Sequence, residues 1–134
     1  MGSHFLLKPT TYMNLSGRSI LAVKNFYKID EVIVIHDDLD LPFGALRFKN
    51  GGGHGGHNGL KSADAAIGAD YTRVRMGIGK PEHKSQVADY VLHSFSTDEQ
   101  AKLSQWIACA ADAVEMLLTQ QCSDVAAKYS QKSL

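Results

Sequence analysis

Hydrophobic and polar positions alternate in blocks that change period several times along the chain. Phe5-Leu6-Leu7-Lys8 is a short apolar run stopped by Pro9, which predicts a strand over 5–8. A turn over 14–17 feeds a predicted helix reaching about Lys28. Ile20, Val23 and Phe26 or Tyr27 share one face of that helix; Arg18, Lys24 and Lys28 share the other. The β-branched run Val32-Ile33-Val34-Ile35 reads as a strand buried on both faces, as in a parallel sheet, and it meets His36-Asp37-Asp38 abruptly. A strand follows over 45–49, with Arg47 and Lys49 on one side by the period of two.

Beyond a glycine-rich stretch, a helix is predicted over 60–67, stopped by Gly68, and then a strand over 73–78. Positions 87–92 form a short apolar helical turn. Ser96-Thr97-Asp98-Glu99 has the spacing of a capping box and opens a long helix. Its predicted buried stripe is Leu103, Ile107, Ala110, Val114 and Leu117, flanked by Trp106, Met116 and Leu118. A last helix covers 124–129. This order predicts an α/β fold, a single domain with a mixed β-sheet flanked by helices.

Composition narrows the classes. The 134 residues allow one domain, and 44% hydrophobic residues supply a core. Fourteen Lys and Arg balance fourteen Asp and Glu, which excludes a generally basic nucleic-acid binder. No apolar run approaches the roughly 18 residues of a membrane span, so no membrane association is expected. Cys109 and Cys122 lack C-x-x-C spacing and read as reduced thiols of a cytoplasmic protein. Met1-Gly2-Ser3-His4 reads as an expression-tag scar, leaving 5–134 as the domain proper.

The zero net charge hides an ordered distribution. Residues 1–28 carry four bases and no acid; residues 29–42 carry five acids and no base; residues 43–80 carry six bases against two acids. A basic middle beside a carboxylate cluster suits one localised polyanion site, and ordinary solvated surface charge is the plain alternative.

Three features carry candidate chemistry. Residues 51–59 hold six glycines in a loop running into a helix, where free N–H groups face an anion. The plain alternative is a mobile surface loop with Asn58 capping the helix. The loop fits neither of the common nucleotide-binding glycine patterns. His54 and His57 with His36 and Asp37 lack the spacing of a metal site, so no metal is expected. A strand-end carboxylate such as Asp37 suits holding a histidine in its useful tautomer, and amides such as Asn14 and Asn58 suit orienting a water or an oxyanion. Helix caps and a surface ion pair explain the same residues equally well.

The segments 8–17 (Lys-Pro-Thr-Thr-Tyr-Met-Asn-Leu-Ser-Gly), 36–44 (His-Asp-Asp-Leu-Asp-Leu-Pro-Phe-Gly) and 51–59 (Gly-Gly-Gly-His-Gly-Gly-His-Asn-Gly) resemble three successive signatures of bacterial peptidyl-tRNA hydrolase. Residues 73–79 resemble the strand that follows them. The resemblance implies cleavage of the ester joining a peptide to the 3′ ribose of tRNA, without metal or organic cofactor. It implies that Asp37 steadies the catalytic histidine, that Tyr12, Asn14 and Asn58 hold the peptide and terminal nucleotide, and that Arg47, Lys49 and Arg75 face the tRNA. His57 would shape the loop without a catalytic part.

The chain departs from the family's pattern at its start. The family's first strand, its Gly-Asn-Pro-Gly-type loop and its general-base histidine have no match here, and His4 alone precedes the first matched motif. The expectations are an N-terminally incomplete sheet, impaired catalysis, and self-association in place of the family's monomer. The second class of function is a non-catalytic RNA-binding module built on Arg47, Lys49 and Arg75.

Overall fold

Chain reversals at glycines and short turns, rather than long loops, set the order of elements. The computed structural model describes residues 4–132. In chain order these form α1 (Ser16–Tyr27), β1 (Ile33–Asp38), β2 (Leu46–Asn50), α2 (Asn58–Ile67), β3 (Thr72–Gly77), α3 (Val87–Leu92), α4 (Thr97–Leu117) and α5 (Cys122–Tyr129). Single 3₁₀ turns precede α1 at Met13–Leu15 and α3 at Lys84–Gln86. The α/β class and the mixed sheet are as the sequence predicts. Within this α/β domain the residues fall into two compact units, 4–32 with 51–71 and 33–50 with 72–132.

The first unit is built on α1 against α2. Gly17 is buried, its N–H donates to Ser62 Oγ at 2.8 Å, and a Cβ there would collide with the Ser62 carbonyl. The helices therefore meet at a residue that has to be glycine. Lys28 ends α1 in the left-handed region at φ 54°, donating its N–H to the Lys24 carbonyl. The predicted strand over 5–8 does not form: residues 4–10 have no regular structure. The Phe5 ring instead stacks on Tyr27, centroids 4.2 Å apart. Phe26, predicted on the apolar face of α1, is exposed.

The second unit holds the sheet, in order β1-β3-β2. β1 and β3 run parallel with Ile33 opposite Thr72 and Asp37 opposite Met76; β2 and β3 run antiparallel with Leu46 opposite Met76 and Arg47 opposite Arg75. This register assigns the faces. Ile33, Ile35, Asp37, Val74, Met76, Leu46 and Phe48 share one face; Val34, His36, Asp38, Arg73, Arg75, Arg47 and Lys49 share the other. The core forms on the first face, where Leu46 and Val74 meet Ala110 of α4, with Ile33, Phe48, Met76, Cys109, Val114 and Leu117 around them.

Two sequence expectations are corrected here. The run 32–35 is not buried on both faces: Val32 lies outside β1, which extends instead through His36-Asp37-Asp38, and Ile35 is 52% exposed on a strand that, among the described residues, is paired on one side only. The α4 stripe is also rotated. Trp106, Ala110 and Ala113 are its buried residues, while Ile107 is 55% exposed. Trp106 wins the inner position because its ring packs on Phe43 at 5.1 Å between centroids and its indole N–H donates to the Ala45 carbonyl at 3.4 Å. The capping box forms as read: Ser96 Oγ accepts from the Glu99 N–H and Glu99 Oε1 accepts from the Ser96 N–H.

Candidate active site

Asp37 is the penultimate residue of β1, at the carboxyl end of the parallel pair β1–β3. Open α/β sheets place ligands in the crevice at such strand ends. The side chain of Asp37 is half-buried. It lines a cavity of about 120 Å³ together with Ile78, Tyr90, Val91, His93, Phe95 and Glu99. Tyr90 fixes one wall: its hydroxyl donates to the Ile78 carbonyl at 2.6 Å. His93 follows α3, and its ring meets Tyr90 edge-on at 4.8 Å. Burial pushes the Tyr90 phenol above its ordinary value, and the negative charge of Glu99 raises it further. The sequence reading singled out none of Tyr90, His93 or Glu99 as site residues. Glu99 was legible only as a cap, and no spacing ties 90–99 to residue 37.

Asp38, one residue on, points to the opposite face. Its Oδ2 accepts from Arg75 Nε at 2.8 Å, and its Oδ1 accepts from the Asp40 N–H at 2.8 Å. Asp40 pairs in turn with Lys80 at 3.0 Å. The carboxylate cluster is thus divided, with Asp37 on the core face and Asp38 holding a base on the other. Arg75 and Arg47 lie directly opposite each other across β3 and β2, and Lys49 is opposite Arg73. Like charges in such pairs repel, and the Asp38 carboxylate offsets part of that cost. The three predicted phosphate-facing bases therefore share one sheet face. Lys49 is exposed there, and Arg47 and Arg75 are half-buried.

The remaining candidates lie in the first unit. Tyr12, 82% exposed, and Asn14, also exposed, bracket Met13 at the 3₁₀ turn before α1. This turn packs on the start of α2, where a Cβ on Gly59 would collide with Met13 Sδ and the His57 ring. The structure thus brings the Asn14 turn and Asn58 together within that unit. Asn58 is not the cap of α2, as one reading of the sequence had it. His57 is the cap: its Nδ1 accepts from the Leu60 N–H at 3.1 Å, leaving Asn58 exposed in the first turn. Hydrogen bonds shape the glycine loop. Gly51 N–H donates to the Tyr71 carbonyl, Gly56 N–H to His54 Nδ1, and His57 N–H to the His54 carbonyl. Gly55 and Gly56 take φ of 59° and 86°, which the turn between the two histidines requires. Among the described residues no three His, Cys, Asp or Glu side chains gather as a metal-binding group, and no helix is long and apolar enough to cross a membrane.

The described residues thus form an α/β chain with a strand-end carboxylate over a small cavity and three bases on the opposite sheet face. Comparison with known proteins gives the family. The family model described as Peptidyl-tRNA hydrolase matches residues 2–134. The peptidyl-tRNA hydrolase of Sulfurimonas denitrificans is 65% identical over 131 residues, 98% of this chain and 71% of that protein. That of a Sulfurovum species is 60% identical over 130 residues, 96% of this chain and 69% of that protein. The crystal structure of a point mutant of peptidyl-tRNA hydrolase from Acinetobacter baumannii superposes with a TM-score of 0.82 at 35% identity, over 93% of this chain and 65% of that one. The chain spans about 70% of these curated relatives and just under two thirds of that solved chain. The chain belongs to the peptidyl-tRNA hydrolase family.

Proposed function

We propose that the chain acts on peptidyl-tRNA in the cytoplasm, cleaving the ester between the peptide and the 3′ ribose and so returning free tRNA. The observation that carries this reading is Asp37, which stands in the second family motif, at the carboxyl end of a parallel strand pair, and lines a cavity. Its role is to orient a histidine that activates water. Tyr12, Asn14 and Asn58 hold the peptide and the terminal nucleotide, and Arg47, Lys49 and Arg75 meet tRNA phosphates.

The alternative, a non-catalytic RNA-binding module, draws on the shared sheet face of Arg47, Lys49 and Arg75. A titration with peptidyl-tRNA beside a turnover assay separates the two. Hydrolysis above the uncatalysed rate, abolished by Asp37→Asn, supports the hydrolase. Binding with cleavage no faster than the blank in both chains favours the module, and failure to bind tRNA removes both readings.

A further inference from the structure

The cavity beside Asp37 has a mixed lining. Ile78, Val91 and Phe95 are apolar, Tyr90 and His93 contribute two rings that meet edge-on, and Asp37 and Glu99 bring two carboxylates. At about 120 Å³ it is the size of one amino-acid side chain rather than of a nucleoside. Glu99 is fixed there by its own backbone role, because Oε1 accepts from the Ser96 N–H at 3.0 Å and the capping box holds the carboxylate at the start of α4. Its charge is felt inside the cavity, where it adds to burial in raising the Tyr90 phenol. Apolar walls with carboxylates suit a long aliphatic stem that ends in a cation, because the methylenes leave water while the charged end keeps a counter-ion.

We propose that this cavity is the subsite for the side chain of the peptide's last residue, and that it favours a lysine-like side chain over an acidic one. The inference rests on the reading of Asp37 as part of the ester-cleaving site. Asp37 orients the histidine that activates water at the scissile ester, so the cavity it lines lies about one side chain away from the adjoining Cα, and the side chain on that carbon enters it. Glu99 is then a specificity residue outside the three family motifs.

The test is binding of three hydrolysis-resistant probes: 3′-amido-3′-deoxyadenosine carrying N-acetyl-lysyl, N-acetyl-glutamyl or N-acetyl-alanyl groups. Calorimetric Kd values are measured at one pH and salt, for the unaltered chain and for Glu99→Gln. Glutamine serves at this position of a capping box as well as glutamate does, so the variant removes charge and keeps the helix start. The lysyl probe is expected to bind about tenfold more tightly than the glutamyl probe, as one counter-ion across a partly wet cavity would give. That ratio should fall at least threefold in Glu99→Gln, while the affinity of the alanyl probe stays within about twofold. Equal affinities for the lysyl and glutamyl probes, or a ratio untouched by Glu99→Gln, overturn the subsite while the alanyl probe still reports a site for peptide and nucleoside. Failure of all three probes overturns the hydrolase reading and the subsite with it.

Discussion

Arg75 Nε lies 2.8 Å from Asp38 Oδ2, on the sheet face opposite to Asp37. The two consecutive aspartates therefore have different work. Asp38 is bound to a base and shields it from Arg47 across the strands, while Asp37 faces the cavity. With side chains 27% and 13% exposed, the Arg75–Asp38 pair is partly shielded from water and should contribute on the order of 1 kcal/mol.

This arrangement makes a prediction for polyanion binding. Contacts to about three phosphates give a log–log salt slope near −2 to −3 for tRNA affinity. Lys49→Ala and Arg47→Ala should each flatten that slope by just under one unit. Asp38→Asn releases Arg75 from its counter-ion and should tighten binding at low salt, with a small loss of stability. Fluorescence anisotropy over a salt series reads all three. An unaltered slope in both alanine variants would remove this sheet face from the interface.

The helix contact at Gly17 predicts a stability effect confined to packing. Gly17→Ala places a methyl against the Ser62 carbonyl and should cost about 1–3 kcal/mol. Ser62→Ala leaves the half-buried Gly17 N–H without its acceptor and should cost about 1 kcal/mol. Urea denaturation should show a lower midpoint at unchanged slope for both. If Gly17→Ala leaves the midpoint in place, α1 and α2 have room to separate and the close approach is not required.

Among the described residues, periodicity located every α-helix and three of the four predicted strands, because each of those segments carries its own apolar face. It failed where a tertiary partner decides the outcome. Residues 5–8 have the pattern of a strand, but a strand needs a neighbour, and among the described residues Phe5 meets the Tyr27 ring instead. Ile107 has the right spacing for the α4 stripe, yet Trp106 takes the inner position because Phe43 and the Ala45 carbonyl are waiting for it. Motif order gave the family and pointed to Asp37, Asn14 and Asn58. It was silent on Tyr90, His93 and Glu99, since a cavity joining residue 37 to residues 90–99 is set by tertiary contacts such as the Tyr90 hydroxyl on the Ile78 carbonyl and leaves no local signature. The glycine composition also left the turn between His54 and His57 unspecified, since its shape rests on hydrogen bonds from Gly56 and His57 back to His54.

Tyr90 provides a pH prediction. Its folded-state pKa is raised, first by burial and then by Glu99. A raised pKa means the folded state holds the proton more tightly than the unfolded chain. The stability contributed is complete below about pH 10, the unfolded value, and is lost as pH rises from there through the folded value. Tyr90→Phe should remove that part of the alkaline decline. Absorbance titration of the phenolate should show a late component that is lost in Tyr90→Phe and moves earlier in Glu99→Gln, without reaching the ordinary value, since burial is the larger cause. A late phase indifferent to Glu99→Gln would show that the two groups do not sense each other.

The sharpest separation of structural from functional roles lies at His57 and Asn58. His57 caps α2 through Nδ1, so His57→Ala should cost about 1 kcal/mol of stability, and His57→Asn should restore most of it because asparagine is a good N-cap. Asn58 is exposed in the first turn and does not cap, so Asn58→Ala should change stability by less than about 0.5 kcal/mol. If Asn58 holds substrate, the same variant should weaken binding of the N-acetyl-alanyl adenosine probe by roughly tenfold, the loss expected for one hydrogen bond to a ligand. Asn14→Ala, at the turn packed on the start of α2, should weaken it similarly, and the double variant should lose less than the sum of the two if both amides grip one group. Denaturation midpoints and probe affinities measured on the same preparations decide the matter. A midpoint lowered by Asn58→Ala with affinity intact would make Asn58 a structural residue and leave the amide pair without a part in recognition.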